Sequence, residues 1–131
     1  MSAPRRGGQP APLILIVDDH LDAREMYALF LEHEGFRVAQ AENGQEALEK
    51  MRVDPPSLVL MDATMPHLDG WDAVRLLKTD PLTKDIPVLM LTGHAYEEHR
   101  LKAASLGADG FLAKPVFPED LAREVRRVLQ R

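Results

Sequence analysis

The sequence has no cysteine, few aromatic residues and no long hydrophobic run. Without cysteine the chain can form no disulfide, no thiolate metal site and no thiol nucleophile. The longest aliphatic runs, Leu13–Val17 and Leu58–Met61, are too short to cross a bilayer. A net charge of -5 provides no basic stripe for nucleic acid. In 131 residues these absences favour one cytoplasmic globular domain that binds neither nucleic acid nor membrane.

The N-terminal segment differs in composition from the rest of the chain. Residues 1–11 are rich in glycine, proline, alanine and arginine and lack the apolar core of a signal peptide. Such a segment cannot bury enough apolar surface to become ordered. We therefore expect a disordered tail over residues 1–11 and a folded domain over residues 12–131.

Short apolar runs alternate with longer amphipathic stretches. Continuous hydrophobicity in four of the five runs is typical of strands that are covered on both faces. The predicted strands are Leu13–Val17, Phe36–Ala41, Leu58–Met61, Pro87–Leu91 and Phe111–Ala113. The alternation predicts a single doubly wound α/β domain with a five-stranded parallel sheet.

The stretches between the runs carry helical patterns of unequal strength. Asn43, with Glu46 three residues later, predicts the start of the second helix. The fourth helix, around Leu101–Leu106, has only a weak apolar stripe. The first helix has the stripe Ala23, Met26, Tyr27 and Phe30, and the fifth has Leu121, Val125, Val128 and Leu129.

Polar side chains follow the predicted strands at the point where each strand ends. Asp18 and Asp19 follow the first strand, Asp62 the third, Thr92 the fourth and Lys114 the fifth. Because the carboxyl ends of parallel strands share one edge, we expect these groups to converge in one crevice, where such sheets bind ligands. Each residue alone could merely cap a strand or begin a helix, but the five together favour a functional site.

The chemistry of these groups indicates a metal and a phosphoryl group. Three clustered carboxylates require a cation, and oxygen ligands without nitrogen or sulfur favour Mg²⁺, which is often completed by a phosphate. Lys114 offers a charge and Thr92 a donor for phosphoryl oxygens. Asp62 is then available as a nucleophile toward phosphorus.

Four segments resemble the response-regulator receiver domains of two-component signal transduction, of the chemotaxis-regulator type. They are IVDD at Ile16–Asp19, LVLMDATMPHLDG at Leu58–Gly70, PVLMLTG at Pro87–Gly93 and GADGFLAKP at Gly107–Pro115. The match runs in order over roughly residues 12–131. The resemblance implies a flavodoxin-like (βα)5 fold with strand order 2-1-3-4-5.

The resemblance also implies roles for individual residues. Asp62 would be the phosphoacceptor, and Asp19 and Asp62 would bind Mg²⁺ directly. The backbone carbonyl of Thr64 would be a third protein ligand, and Asp18 would act through metal-bound water.

Further roles concern the phosphoryl group and the response to it. Lys114 would contact the phosphoryl group, and Thr92 would donate its hydroxyl once phosphate is present. Phe111 occupies the family's aromatic switch position, and the Lys114–Pro115 bond would be cis.

The function implied by the resemblance is a phosphorylation-dependent signalling switch. A sensor histidine kinase or a phosphotransfer protein would supply the phosphoryl group from a phosphohistidine. The response would alter the face made by helix four, strand five and helix five, which would contact a downstream protein and could support a phosphorylation-dependent dimer. The domain would catalyse only its own phosphotransfer and slow autodephosphorylation, so it would not be an enzyme acting on a separate substrate.

Two other functions compete with this interpretation. A phosphatase of the haloacid dehalogenase type also uses an aspartate nucleophile and Mg²⁺, but it needs a second aspartate where this chain has Thr64. A passive flavodoxin-like binding module would have no use for Asp62 and Lys114 beside an acidic pair.

The histidines show no spacing typical of metal ligands, and we interpret them as surface or loop residues. They are His20, His33, His67, His94 and His99. His94, two residues after Thr92, lies at the predicted mouth of the site and could tune hydrolysis of the acyl phosphate.

Overall fold

The apolar runs form the strands of one sheet, and the amphipathic stretches form helices on both of its faces. The structure is a computed structural model that describes residues 10–63, 70–93 and 97–130. In these ranges five strands alternate with five helices: β1 (Leu13–Val17), α1 (Leu21–His33), β2 (Arg37–Ala41), α2 (Gly44–Val53), β3 (Leu58–Asp62), α3 (Gly70–Thr79), β4 (Val88–Thr92), α4 (Glu97–Ser105), β5 (Gly110–Ala113) and α5 (Pro118–Leu129).

All five strands are parallel, and their order is β2-β1-β3-β4-β5. The three central strands β1, β3 and β4 are buried along their whole length, which explains their continuous hydrophobicity. The predicted fold class, parallel sheet and strand order are confirmed.

Each face of the sheet has its own hydrophobic core. Side chains alternate between the faces along a strand, so Met61 packs in the core beneath α2, α3 and α4, whereas Leu60 packs in the core beneath α1 and α5. Both side chains are almost completely buried. The sheet is therefore held from both sides.

The helices follow the sequence patterns with one exception. Asn43 Oδ1 accepts a hydrogen bond of 2.8 Å from the Glu46 N–H, which confirms the predicted start of α2. Of α4, Ala103 is buried in the core and Leu101 is exposed, in keeping with its weak stripe. In α1 the prediction for Met26 is wrong: Met26 is 42% exposed, and the buried face is formed by Tyr27, Ala28 and Leu31.

Strand bounds differ from the predicted ones by one residue: β3 and β4 end one residue later, β2 and β4 begin one residue later, and β5 begins one residue earlier. Asp62 pairs with Leu91 in the parallel register, so the carboxylate belongs to the end of β3, and Thr92 likewise ends β4 beside Ala113. The Lys114–Pro115 peptide bond is cis, as expected. Among the described helices, none has the length and apolar composition needed to cross a bilayer.

Candidate functional site

The carboxyl ends of the strands bring all five predicted groups to one edge. Asp18 is fixed by a 3.1 Å hydrogen bond from its N–H to the carbonyl of Ala41, because β1 and β2 are still paired there. The N–H of Lys114 donates to the carbonyl of Thr92 at 2.7 Å. These backbone contacts, together with the pairing of Asp62 in β3, set the side chains around one crevice.

Lys114 lies between two buried carboxylates. Its Nζ is 3.2 Å from Asp62 Oδ1 and 3.8 Å from Asp18 Oδ2. Burial by itself would lower the pKa of Lys114, but the carboxylates of Asp62 and Asp18 outweigh that effect and raise the pKa above its ordinary value. Lys114 is therefore positively charged and can bind an anionic group that is attached to Asp62.

The two carboxylates after β1 keep buried oxygens without hydrogen-bond donors. Within the described residues, Asp18 Oδ2 and Asp19 Oδ1 have no hydrogen-bond partner. Asp18 Oδ1 accepts the N–H of His20 at 2.9 Å, and this bond orients the carboxylate. Buried carboxylate oxygens without donors are costly unless an ion binds them. These oxygens fit a hard divalent cation such as Mg²⁺.

His20 also contributes to this cluster, which the sequence analysis did not anticipate. Its Nδ1 is 3.3 Å from Asp18 Oδ1 and 3.2 Å from Asp19 Oδ1, although the ring itself is exposed. One potential ligand atom from each of His20, Asp18, Asp19 and Asp62 lies within 4.8 Å of the others. The position of His20 directly after the acidic pair was the available signal.

The hydroxyl of Thr92 faces helix α4. Thr92 is buried, and its Oγ1 lies 3.5 Å from Nδ1 of His99, a long contact for a hydrogen bond. The ring of His99 meets Trp71 edge-on at 5.7 Å, and Lys102 Nζ lies 4.6 Å from the centre of the Trp71 ring. The site is thereby in contact with α3 and α4 through a short row of side chains.

Tyr27 of α1 is a further group near the charged crevice that the sequence analysis treated only as core. Burial is the main cause that raises the pKa of its phenol; Lys114 opposes the shift, and Asp18 and Asp62 add to it. Its side chain is buried in the core under α1 and α5. The neutral form of Tyr27 is therefore favoured, and the charges of the site affect its pKa.

Gly70 fixes the start of α3 against the strand that carries Asp62. Its N–H donates to the carbonyl of Ala63 at 3.1 Å. A β-carbon at Gly70 would overlap the carbonyl oxygen of Asp62 and would lie 2.8 Å from Ala63 Cα. The close approach of helix and strand therefore requires glycine at this position.

Phe111 of β5 is half-buried and packs against the core beneath α3 and α4. The predicted residues Thr64, His67 and His94, and the predicted tail as far as residue 9, lie outside the described residues. The carbonyl role of Thr64 and the effect of His94 on hydrolysis stay predictions.

A parallel sheet in this order, with an acidic crevice and a lysine at its carboxyl edge, defines a receiver-like α/β signalling domain. The family model for the response regulator receiver domain matches residues 14–126, and the chain belongs to that family of two-component response regulators.

The similarity extends to full-length regulators and to solved receiver structures. The chain is 40% identical over 118 residues to the phosphate regulon transcriptional regulatory protein PhoB of Pseudomonas aeruginosa, covering 90% of this chain and 52% of that protein. The chain thus spans about half the length of such curated relatives.

Among solved structures, chemotaxis protein CheY4 of Vibrio cholerae superposes with a TM-score of 0.86 at 32% identity, covering 90% of this chain and 98% of that one. The receiver domain of a signal transduction histidine kinase from Syntrophus aciditrophicus gives 0.84 at 34% identity, covering 92% and 91%.

Proposed function

We propose that this receiver domain is a cytoplasmic switch that accepts a phosphoryl group on Asp62 in the presence of Mg²⁺. The donor would be a phosphohistidine of a sensor histidine kinase or of a phosphotransfer protein. The observation that carries this proposal is the pairing of Lys114 Nζ with Asp62 Oδ1 at 3.2 Å beside the buried carboxylate of Asp18.

The transfer uses groups that already face the crevice. A carboxylate oxygen of Asp62 forms the new bond to phosphorus while the bond from phosphorus to the donor's imidazole nitrogen breaks, and that nitrogen keeps the electron pair. Lys114 offers its ammonium to the phosphoryl oxygens and so stabilises their charge. No proton has to leave Asp62 because the carboxylate is the nucleophile.

Mg²⁺ fits the oxygen ligands of the crevice. Asp19, Asp62 and the carbonyl of Thr64 would hold the ion directly, with Asp18 acting through water, and the bound ion would neutralise phosphoryl charge. The buried oxygens of Asp18 and Asp19 that lack hydrogen-bond donors support this assignment.

The response would run from Thr92 to the face formed by α4, β5 and α5. In the phosphorylated state Thr92 Oγ1 would turn from His99 to a phosphoryl oxygen, and Phe111 would move into the vacated space. A groove of about 310 Å³ on this face is lined by residues of all three elements, among them Ala103, Phe111 and Arg127. A downstream protein, or a second copy in a phosphorylation-dependent dimer, would bind there.

A switch of this kind is labelled once for each transfer and does not turn over a separate substrate. The phosphatase alternative needs an acid two residues after the nucleophile, and Thr64 offers only a hydroxyl there. We therefore propose that the domain is not an enzyme beyond its own phosphotransfer and slow autodephosphorylation.

Intact-mass measurement after incubation with acetyl phosphate and Mg²⁺ tests the proposal. We expect one phosphoryl adduct per chain in the wild type and none in Asp62→Asn. Asp22→Asn, which changes an exposed carboxylate in the first turn of α1, is the matched control and should be labelled like the wild type. An adduct that persists in Asp62→Asn would refute the assignment, and consumption of many acetyl phosphates per chain within the time of a single labelling would favour the phosphatase.

A further inference from the structure

We propose that His20 is an additional metal ligand, so that the acidic crevice accepts first-row transition-metal ions such as Ni²⁺ and Mn²⁺ through an imidazole nitrogen. The inference rests on the proposed metal site and adds a nitrogen donor to its oxygen ligands. It concerns the ion preference of the crevice, because three carboxylates alone suit Mg²⁺ and Mn²⁺, whereas an imidazole nitrogen raises the affinity for Ni²⁺.

The spacing of the donor atoms fits a shared ion. His20 Nδ1 lies 3.2 Å from Asp19 Oδ1 and 3.3 Å from Asp18 Oδ1. With metal–ligand bonds of about 2.1 Å, neighbouring ligand atoms of an octahedral ion are about 3 Å apart and opposite ones about 4.2 Å. The potential ligand atoms of His20, Asp18, Asp19 and Asp62 lie within 4.8 Å of one another. Small movements would bring those of His20, Asp19 and Asp62 to one ion, with Asp18 reaching it through water.

A second observation indicates that an ion belongs here. The side chain of Asp18 is 1% exposed, and its Oδ2 has no hydrogen-bond donor among the described residues. The nearest cation to that oxygen, Lys114, stands 3.8 Å away and is closer to Asp62. A buried carboxylate oxygen without a hydrogen-bond donor is strongly stabilised by a nearby cation.

The backbone holds His20 in place without using its ring. His20 is the N-cap residue of α1, yet in the described residues its side chain makes no capping hydrogen bond. Its N–H donates to Asp18 Oδ1 at 2.9 Å, and its carbonyl accepts from the Arg24 N–H at 3.0 Å. The ring is 72% exposed, so it can turn toward an ion at little cost in packing.

The nitrogen ligand should alter metal preference in a defined order. Mg²⁺ prefers oxygen and water, whereas affinity for mixed nitrogen and oxygen sites rises from Mn²⁺ to Ni²⁺. The contribution of His20 to binding affinity should therefore be small for Mg²⁺ and large for Ni²⁺. A role of His20 that acted only by orienting Asp18 would change the binding of both ions alike.

Calorimetric titration of the untagged chain with NiCl₂ and with MgCl₂ tests the inference. In His20→Ala we expect the Ni²⁺ dissociation constant to rise by about tenfold or more, while that for Mg²⁺ changes by less than about twofold. His33→Ala is the matched control, since His33 is an exposed histidine at the other end of α1, and should bind both ions like the wild type.

A spectroscopic readout accompanies the titration. With Mn²⁺ bound, pulsed electron paramagnetic resonance should show coupling to an imidazole nitrogen, and this coupling should vanish in His20→Ala but persist in His99→Ala. Unchanged Ni²⁺ affinity, an equal loss for Ni²⁺ and Mg²⁺, or a nitrogen coupling that survives in His20→Ala would each overturn the role of His20. If Asp19→Ala bound both ions as tightly as the wild type, the metal crevice itself would be misplaced.

Discussion

At the scale of single residues, the crevice couples groups of opposite charge to a buried phenol. Lys114 stands between Asp62 and Asp18, and the same three charges affect the pKa of Tyr27 in α1. The pKa values of Lys114 and Tyr27 are both raised, so the protonated forms of both are favoured in the folded state. The stability that these groups contribute is present below their ordinary pKa values and is lost as pH rises through the folded values.

An alkaline titration measures this effect at Tyr27. By near-ultraviolet absorbance we expect one of the two tyrosines to ionise above the ordinary pKa of 10.0. Tyr27→Phe should remove this late component and reduce the fall in unfolding free energy above that pH, because an unfolded tyrosine ionises more readily there. Tyr96→Phe is the control and should leave the late component in place. The interpretation fails if Tyr27→Phe retains it.

At the scale of elements, the helices differ in what holds them. α2 begins with a side-chain cap at Asn43 and adds an i,i+4 ion pair between Glu46 and Lys50 at 3.0 Å. α4 contributes Ala103 to the core and contacts Trp71 through His99 and Lys102. Few buried apolar contacts make local rearrangement of an element easier, and α4 is the helix that contacts Thr92.

Removal of the cap should weaken α2. We expect Asn43→Ala to lower the free energy of unfolding by about 1 kcal/mol, because the Glu46 N–H loses its acceptor. Urea denaturation followed by circular dichroism measures the loss. Gln45→Ala alters an exposed neighbour in the same turn and should change stability by less than about 0.5 kcal/mol. Equal effects of the two substitutions would contradict a specific capping role.

Trp71, the single tryptophan, should report a movement of α4. Because His99 and Lys102 touch its ring, we expect its fluorescence to change when beryllofluoride, a mimic of the phosphoryl group, is added with Mg²⁺. Asp62→Asn should abolish the change, and Mg²⁺ alone is the reference condition. A wild-type spectrum that stays constant would count against the coupling of Thr92 to α4.

At the scale of the whole molecule, one sheet divides two cores that share its strands. Leu60 and Met61 are neighbours on β3 but belong to opposite cores. Since both cores share the strands, loss of packing on either side removes support from the same sheet.

We therefore expect Leu60→Ala and Met61→Ala each to lower the free energy of unfolding by about 2–5 kcal/mol. Each variant should still unfold in a single transition. Thermal and urea unfolding, each followed by two spectroscopic probes, measure both quantities. Leu29→Ala, which truncates a side chain that is 67% exposed, should be nearly neutral. Two separated transitions would show that the cores unfold independently.

Local patterns predicted most of the fold, because β1, β3 and β4 are buried on both faces and so show continuous hydrophobicity. The same logic located Asp18, Asp62 and Thr92, since polar residues end those runs, whereas Lys114 follows the half-buried strand β5. Met26 was misassigned because its periodicity fits two overlapping helix faces, and the sheet and α5 decide which one is buried. The contact of His99 with Thr92 joins a helix to a strand end, and no sequence spacing encodes it.

The close contact at Gly70 has a consequence for how this protein can change over generations. Every single-base change that removes glycine from its codon either ends translation or gives a residue with a β-carbon, and any β-carbon there collides with the backbone at Asp62 and Ala63. Gly93, around which a β-carbon would meet nothing within 4 Å, has room for such a change. Replacement of Gly70 by any other residue would therefore misfold or displace α3, unless a second mutation had already moved that helix away.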